Sequence, residues 1–179
     1  VLKILLQVKG ASQNNVINVI EVGGNARQLL EIIRRTYRKA PYFDDVCPML
    51  ESIFLSKEKN LARYLGNSLV KICKHLDLEA KVVYSSEIEK DNNLRLDERI
   101  YDVCKSLKST HYVNSIGGQT LYSKEVFLKH GIELSFIQSN EIIYEQYNND
   151  FIPKLSIIDV LMFNSKSNIT EMLNAYHLV

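Results

Sequence analysis

The chain has 179 residues, with 22 Lys and Arg against 21 Asp and Glu, a formal charge of +1. So even a balance creates no long-range field, which argues against nucleic acid or an anionic bilayer as partner. A chain of this length buries roughly 70% of its unfolded surface and needs neither disulfide nor metal for stability. No apolar run approaches the ~20 residues that span a bilayer, so no membrane insertion is expected.

In chain order, residues 2–8 (LKILLQV) and 16–22 (VINVIEV) are rich in branched aliphatics and flank a polar KGASQNN, the pattern of two strands joined by a loop. A three-helix segment is predicted next. NARQLLEIIRRTYRK sets Leu30, Ile33 and Tyr37 on one face, with Asn25 as cap and Pro41 as stop. FDDVCPMLESIF sets Val46, Leu50 and Phe54 on a stripe, with Pro48 expected in the first turn, where its missing N–H is harmless. NLARYLGNSLVKICKHL aligns Leu61, Leu65, Leu69, Ile72 and Leu76 as an inward stripe. Gly66 within it costs about 1 kcal/mol relative to alanine and is read as a point of close helix contact. Cys47, Cys73 and Cys104 sit in helical, apolar settings and read as reduced and buried, which suits a cytoplasmic protein.

From residue 80 the rhythm changes to strand KVVYS, helix LDERIYDVCKSL with Leu96, Ile100, Val103 or Cys104 and Leu107 inward, strand THYVNS, helix YSKEVFLKHG stopped by Gly131, and strand IELSFIQS. Alternation with short connections predicts a three-layer α/β fold of the Rossmann-like kind, a mostly parallel sheet with flanking helices. Residues 140–153 (NEIIYEQYNNDFIP) have no period and are expected to form a long surface segment. SIIDVLMFNS follows, with Ser156 and Asp159 as an S-x-x-D capping box, and SNITEMLNAYHLV is read as a last helix.

Ligands of an open parallel sheet bind beyond the carboxyl ends of its strands, and NSIGGQTLYSKE is such a loop. Gly117 and Gly118 allow positive φ and close approach of a ligand, with Asn114 and Tyr122 beside them, although glycine pairs more commonly mark a plain turn. Neither G-x-G-x-x-G nor a P-loop is present. Ser85, at the end of KVVYS, falls at the same expected edge as a substrate contact or a simple turn residue. His75, His111, His130 and His177 show no metal-ligand spacing, so no metal or other cofactor is expected. His111 at a strand start could act as an acid or base, or be an ordinary structural histidine. Asp159 stands among apolar residues and needs a partner such as Arg99 or a backbone amide; it is the other candidate base. Tyr144, Gln146, Tyr147, Asn148 and Phe151 could stack on and hydrogen-bond a sugar, or pack their own loop down.

YRKAPYFDDVCPMLE, NLARYLGNSLVKICKHL, THYVNSIGGQTLYSKEVFLKHGIELSFIQ and FIPKLSIIDVLMFNS, in that order, resemble the WbqC-like family over nearly the whole chain. The resemblance implies one WbqC-like domain over residues 1–179 and a cytoplasmic step in the synthesis of O-antigen (lipopolysaccharide) or another surface polysaccharide. The step implied is transfer of an acyl or aminoacyl group to a nucleotide-linked amino sugar; the alternative is a non-catalytic binding or assembly subunit. The partner is then a nucleotide-linked sugar, with a second copy of the chain or another polysaccharide-synthesis enzyme as a further one. The family pattern falls on Asn114, Gly117, Gly118, Tyr122, Ser156, Asp159 and Asn164. The strand and Gln-Pro-rich aromatic motif with which the family usually begins are not in this chain, so the resemblance implies its later portion.

Overall fold

The computed structural model describes residues 19–147 and 150–179, together with the backbone of Leu6–Gln7. In chain order its elements are β1 (Leu6–Gln7), β2 (Glu21–Val22), α1 (Ala26–Tyr37), α2 (Phe43–Phe54), α3 (Leu61–His75) and α4 (Leu96–Ser106). They continue with β3 (His111–Ser115), α5 (Lys124–Lys129), β4 (Glu133–Ser139), α6 (Ile157–Phe163), α7 (Lys166–Leu173) and β5 (Tyr176–Leu178). The chain divides into two compact units, Val1–Val82 with Ile143–Glu171 and Val83–Ile142 with Met172–Val179. None of the helices described is long and apolar enough to cross a membrane.

The first unit is helical. β1 and β2 pair antiparallel, Leu6 opposite Val22, as the aliphatic runs suggest; residues 1–5 and 8–18 of the expected hairpin lie outside the described residues. Its core joins Leu30 and Ile33 of α1, Val46 and Leu50 of α2, Leu161 and Met162 of α6 and Ile169 of α7. Burying each such side chain stabilises the fold by about 1.5–3 kcal/mol. Two expectations are corrected here. Pro48 is not in the first turn of α2 but inside the helix, where it removes the N–H that would meet the Asp44 carbonyl; burial of Val46, Cys47, Leu50 and Ile53 around it outweighs that loss. On α3 the buried residues are Tyr64 and Gly66; of the expected stripe Ile72 and, just past the helix end, Leu76 pack on the core, while Leu65 and Leu69 stand 45% and 54% exposed. The apolar positions of α3 cover too wide an arc for periodicity to choose the buried face. Cys47 and Cys104 are buried and Cys73 only partly so, all three free thiols.

The second unit holds a three-stranded sheet in the order β3-β4-β5. β3 runs parallel to β4 from His111 opposite Glu133 to Ser115 opposite Ile137, with α5 in the crossover. Ser123 caps α5 by accepting from the Val126 amide, and Gly131 at φ +73 ends it with the left-handed turn that glycine adopts without strain. β5 is antiparallel to β4, Ile137 opposite Leu178. Phe127, Leu134 and Phe136 are buried with Tyr101, Cys104 and Ile132.

The fold is thus mixed α/β, with seven α-helices among the described residues. The expected three-layer, mostly parallel Rossmann-like sheet is not clearly present: one parallel and one antiparallel pairing make up a small mixed sheet. KVVYS is not a strand; it leads into a single 3-10 turn, Ser85–Glu87, with Val83 exposed, so its alternation meets no sheet edge. The last helix stops at Leu173, because Tyr176–Leu178 satisfies its backbone on the free edge of β4. Leu96 and Leu107, expected inward on α4, are exposed, and Tyr101 and Cys104 take the buried face.

Candidate functional site

Asp159 lies on α6, 4% exposed, and accepts three hydrogen bonds. The Tyr144 hydroxyl and the Gln146 amide donate to Oδ1, both at 2.7 Å, and the Tyr37 hydroxyl donates to Oδ2 at 3.0 Å. A buried carboxylate requires this, since an unpaired charge in a low-dielectric interior is prohibitive. The partner is neither Arg99, which donates to the Leu94 and Asn92 carbonyls of its own unit, nor a backbone amide. Ser156 does cap α6, its hydroxyl accepting from the Ile158 amide. The carboxylate of Asp159 serves the tyrosines and Gln146 instead of closing the box.

Gln146 is committed between its own loop and α6. Its amide donates to Asp159 and to the Ile152 carbonyl at 3.2 Å, and its carbonyl accepts from the Ile152 amide at 2.8 Å. Tyr144 packs edge-on against Phe151, and Tyr147 against Phe163 with its hydroxyl donating to the Thr36 carbonyl. These contacts fasten the segment onto α1 and α6; Asn148 lies outside the described residues. Tyr147 in the segment and Lys154 just after it hold left-handed backbone at φ +49 and +59, as Asp77, Leu96 and Lys108 do elsewhere, a conformation that costs about 1–3 kcal/mol.

Tyr37 connects this cluster to a cleft of about 680 Å³ lined by Leu29, Ile32, Ile33, Phe54, Lys154 and Ser156 as well as by Tyr37 itself. Sequence periodicity placed Tyr37 on the core face of α1 but could not reveal its polar tip; a tyrosine closing an apolar stripe is the one signal available. Lys154 carries no sequence signal at all.

Burial, then the bond to Asp159, pushes the Tyr144 hydroxyl up to about 12, and the same two causes hold Tyr37 well above the ordinary tyrosine range. Stability is therefore expected to fall as pH rises from about 10 to 12. There the unfolded tyrosines release protons that the folded ones keep, so the unfolded state binds fewer protons and alkali favours it. Urea midpoints measured across that range read the effect; a flat profile would contradict it.

In the second unit the Gly117–Gly118 pair forms a 3-10 turn, Ile116–Thr120, and neither glycine has positive φ. A Cβ on Gly118 would lie 2.8 Å from Asn114 Nδ2 and 3.4 Å from Phe136 Cε1, whereas one on Gly117 meets nothing within 4 Å. Asn114 is held in place, its Oδ1 accepting from the Ser115 amide at 2.7 Å. Gly118 is thus required by close packing of its own protein. Gly118→Ala is expected to cost about 1–2 kcal/mol, and Gly117→Ala to change stability by less than about 0.5 kcal/mol. Denaturant titration of the two variants side by side checks the contrast. Tyr122 sets its ring edge-on to Phe127 at 5.8 Å. His111 Nε2 lies 2.9 Å from Ser135 Oγ. Ser85 is exposed in its turn, its carbonyl accepting from the Lys90 ammonium. The structure thus brings Asp159, Tyr144 and Gln146 together in the first unit, while Asn114, Gly117, Gly118, Tyr122, His111 and Ser85 belong to the second. Among the described residues no group of His, Cys, Asp or Glu is placed to hold a metal.

A helical unit with a buried, tyrosine-bound carboxylate beside a cleft, and a second unit built on a small mixed sheet, define a mixed α/β protein outside the simple dinucleotide-binding pattern. The sequence profile of the WbqC-like protein family matches residues 1–171, and the chain belongs to that family. Membership suggests a polysaccharide-associated function. Neither the curated proteins nor the solved structures offer a match.

Proposed function

We propose that the chain is an enzyme of surface-polysaccharide synthesis that transfers an acyl or aminoacyl group to the amine of a nucleotide-linked amino sugar, in the cytoplasm. The observation that supports this reading is Tyr37, whose hydroxyl donates to buried Asp159 at 3.0 Å while the residue lines the 680 Å³ cleft. In the proposed step the acceptor nitrogen attacks the acyl carbon, the new N–C bond forms and the bond to the donor's leaving group breaks. The amine proton passes to the Tyr37 oxygen as Tyr37 hands its own to Asp159, and it then returns to the leaving group. Leu29, Ile32 and Ile33 offer the acyl chain an apolar wall, and the Lys154 ammonium offers charge to a developing oxyanion.

The test is turnover of a nucleotide-linked amino sugar with an acyl thioester by the full chain. Tyr37→Phe is expected to lower kcat by about 100-fold with little change in KM. Undiminished turnover by that variant would sink the mechanism. The second reading, an assembly subunit without chemistry of its own, is favoured by exposed Leu65 and Leu69, one turn apart on α3. Turnover by the isolated chain would remove it.

A further inference from the structure

The stretch RRTYRK puts Arg34, Arg35, Arg38 and Lys39 within six residues of a chain whose formal charge is only +1. Three of these arginines line a groove of about 440 Å³ between α1 and α2, opposite Phe43, Asp44, Cys47, Pro48 and Glu51. They are not equivalent. Arg34 is spoken for: its guanidinium donates to Glu31 at 2.7 Å and to Glu51 at 2.6 Å, and Glu51 also accepts from the Cys47 thiol at 3.5 Å. Arg35 and Arg38 make no side-chain hydrogen bond or ion pair with any described residue, and Asp44 on the facing wall makes none with them.

The favourable end of the helix macrodipole accounts for basic residues in the last turn of α1. It does not account for two like charges three residues apart, neighbours on one helix surface, being left without an acid when glutamates are provided for Arg34. Nor does it account for the setting of the pair beside the Phe43 ring and the Pro48 face. Two adjacent guanidiniums offer forked donors matched to phosphate oxygens, and an aromatic and proline floor suits a flat heterocycle.

We infer that this groove binds the diphosphate of a nucleotide, with Arg35 and Arg38 on the phosphates and the base against Phe43 and Pro48. The inference deepens the function proposed above and rests on it for the ligand's identity. The source of the diphosphate is a free nucleoside diphosphate or the nucleotide end of a nucleotide-linked sugar.

Calorimetric titration of the full chain with inorganic pyrophosphate, uridine, uridine diphosphate and uridine diphosphate N-acetylglucosamine tests it. Binding of the two nucleotides is expected, tighter than that of pyrophosphate, with none for uridine; the sugar-bearing ligand binding more tightly than uridine diphosphate identifies the sugar nucleotide as the source, and equal affinity identifies the free nucleotide. R35Q/R38Q is expected to weaken binding at least tenfold, and R35K/R38K nearly as much, because a lysine keeps the charge but not the fork. Both side chains are exposed, so the variants fold. No binding by the wild type, full affinity in the glutamine pair, or full affinity in the lysine pair would each overturn the site. Turnover separates the two proposals: arginine-dependent nucleotide binding by a wild-type chain that shows no transferase turnover upholds the groove while the catalytic reading falls.

Discussion

Asp159→Ala is expected to destabilise the helical unit by about 3 kcal/mol. Hydrogen bonds to a charged acceptor contribute about 1.5–3 kcal/mol each, and this carboxylate accepts three. The sum overstates the loss, because the hydroxyls of Tyr37 and Tyr144 are half-buried and can turn to water once the acceptor is gone. Gln146 is buried and cannot turn to water, its remaining bonds running to the Ile152 backbone and, at 3.3 Å, to the Tyr144 hydroxyl. Asp159→Asn retains the shape and one carbonyl acceptor but sets an NH2 group against a hydroxyl donor, so about 1–2 kcal/mol is expected. Urea titration distinguishes these results through a fall in midpoint at constant slope. A loss below about 0.5 kcal/mol for the alanine variant would show that the loop holds without its carboxylate.

Phe127→Ala is expected to cost the second unit about 4 kcal/mol, in the range for aromatic side chains removed from a core. Phe127 is fully buried, and its ring meets Tyr101 at 4.7 Å, Tyr112 at 5.7 Å and Tyr122 at 5.8 Å. Three aromatic neighbours cannot close over a vacancy without leaving their own rotamers, so a cavity remains. Amide hydrogen exchange along β3, α5 and β4 reads the loss directly. Phe127→Leu, which refills most of the volume, is expected to recover about half of it.

How far the sequence foretold all this depended on range. The β3-α5-β4 unit was legible because each signal is local: Ser123 caps, Gly131 stops, and IELSFIQS is aliphatic and aromatic over strand length. Asp159 was legible as a problem, a carboxylate in an apolar helix, but not as a solution. Its donors sit 122, 15 and 13 residues away, and no local pattern records them. The choice of face on α3 and the loss of KVVYS as a strand fail for a related reason. Each depends on whether a neighbour exists to cover it, which is a property of the assembled fold. The glycine pair was recognised as a turn, but its demand is for space beside Asn114 and not for positive φ.

The interleaving of the two units bears on the order in which a ribosome delivers them. α1, α2 and α3 emerge early, yet Leu161, Met162 and Ile169, which complete their core, follow only after all of residues 83–142 have been made. The second unit waits as well, since Phe136 exchanges both of its backbone bonds with Val179. A nascent chain therefore carries two unfinished apolar surfaces at once, and both are closed by residues 157–179. Translation that pauses before residue 157 would expose them to chaperones or proteases.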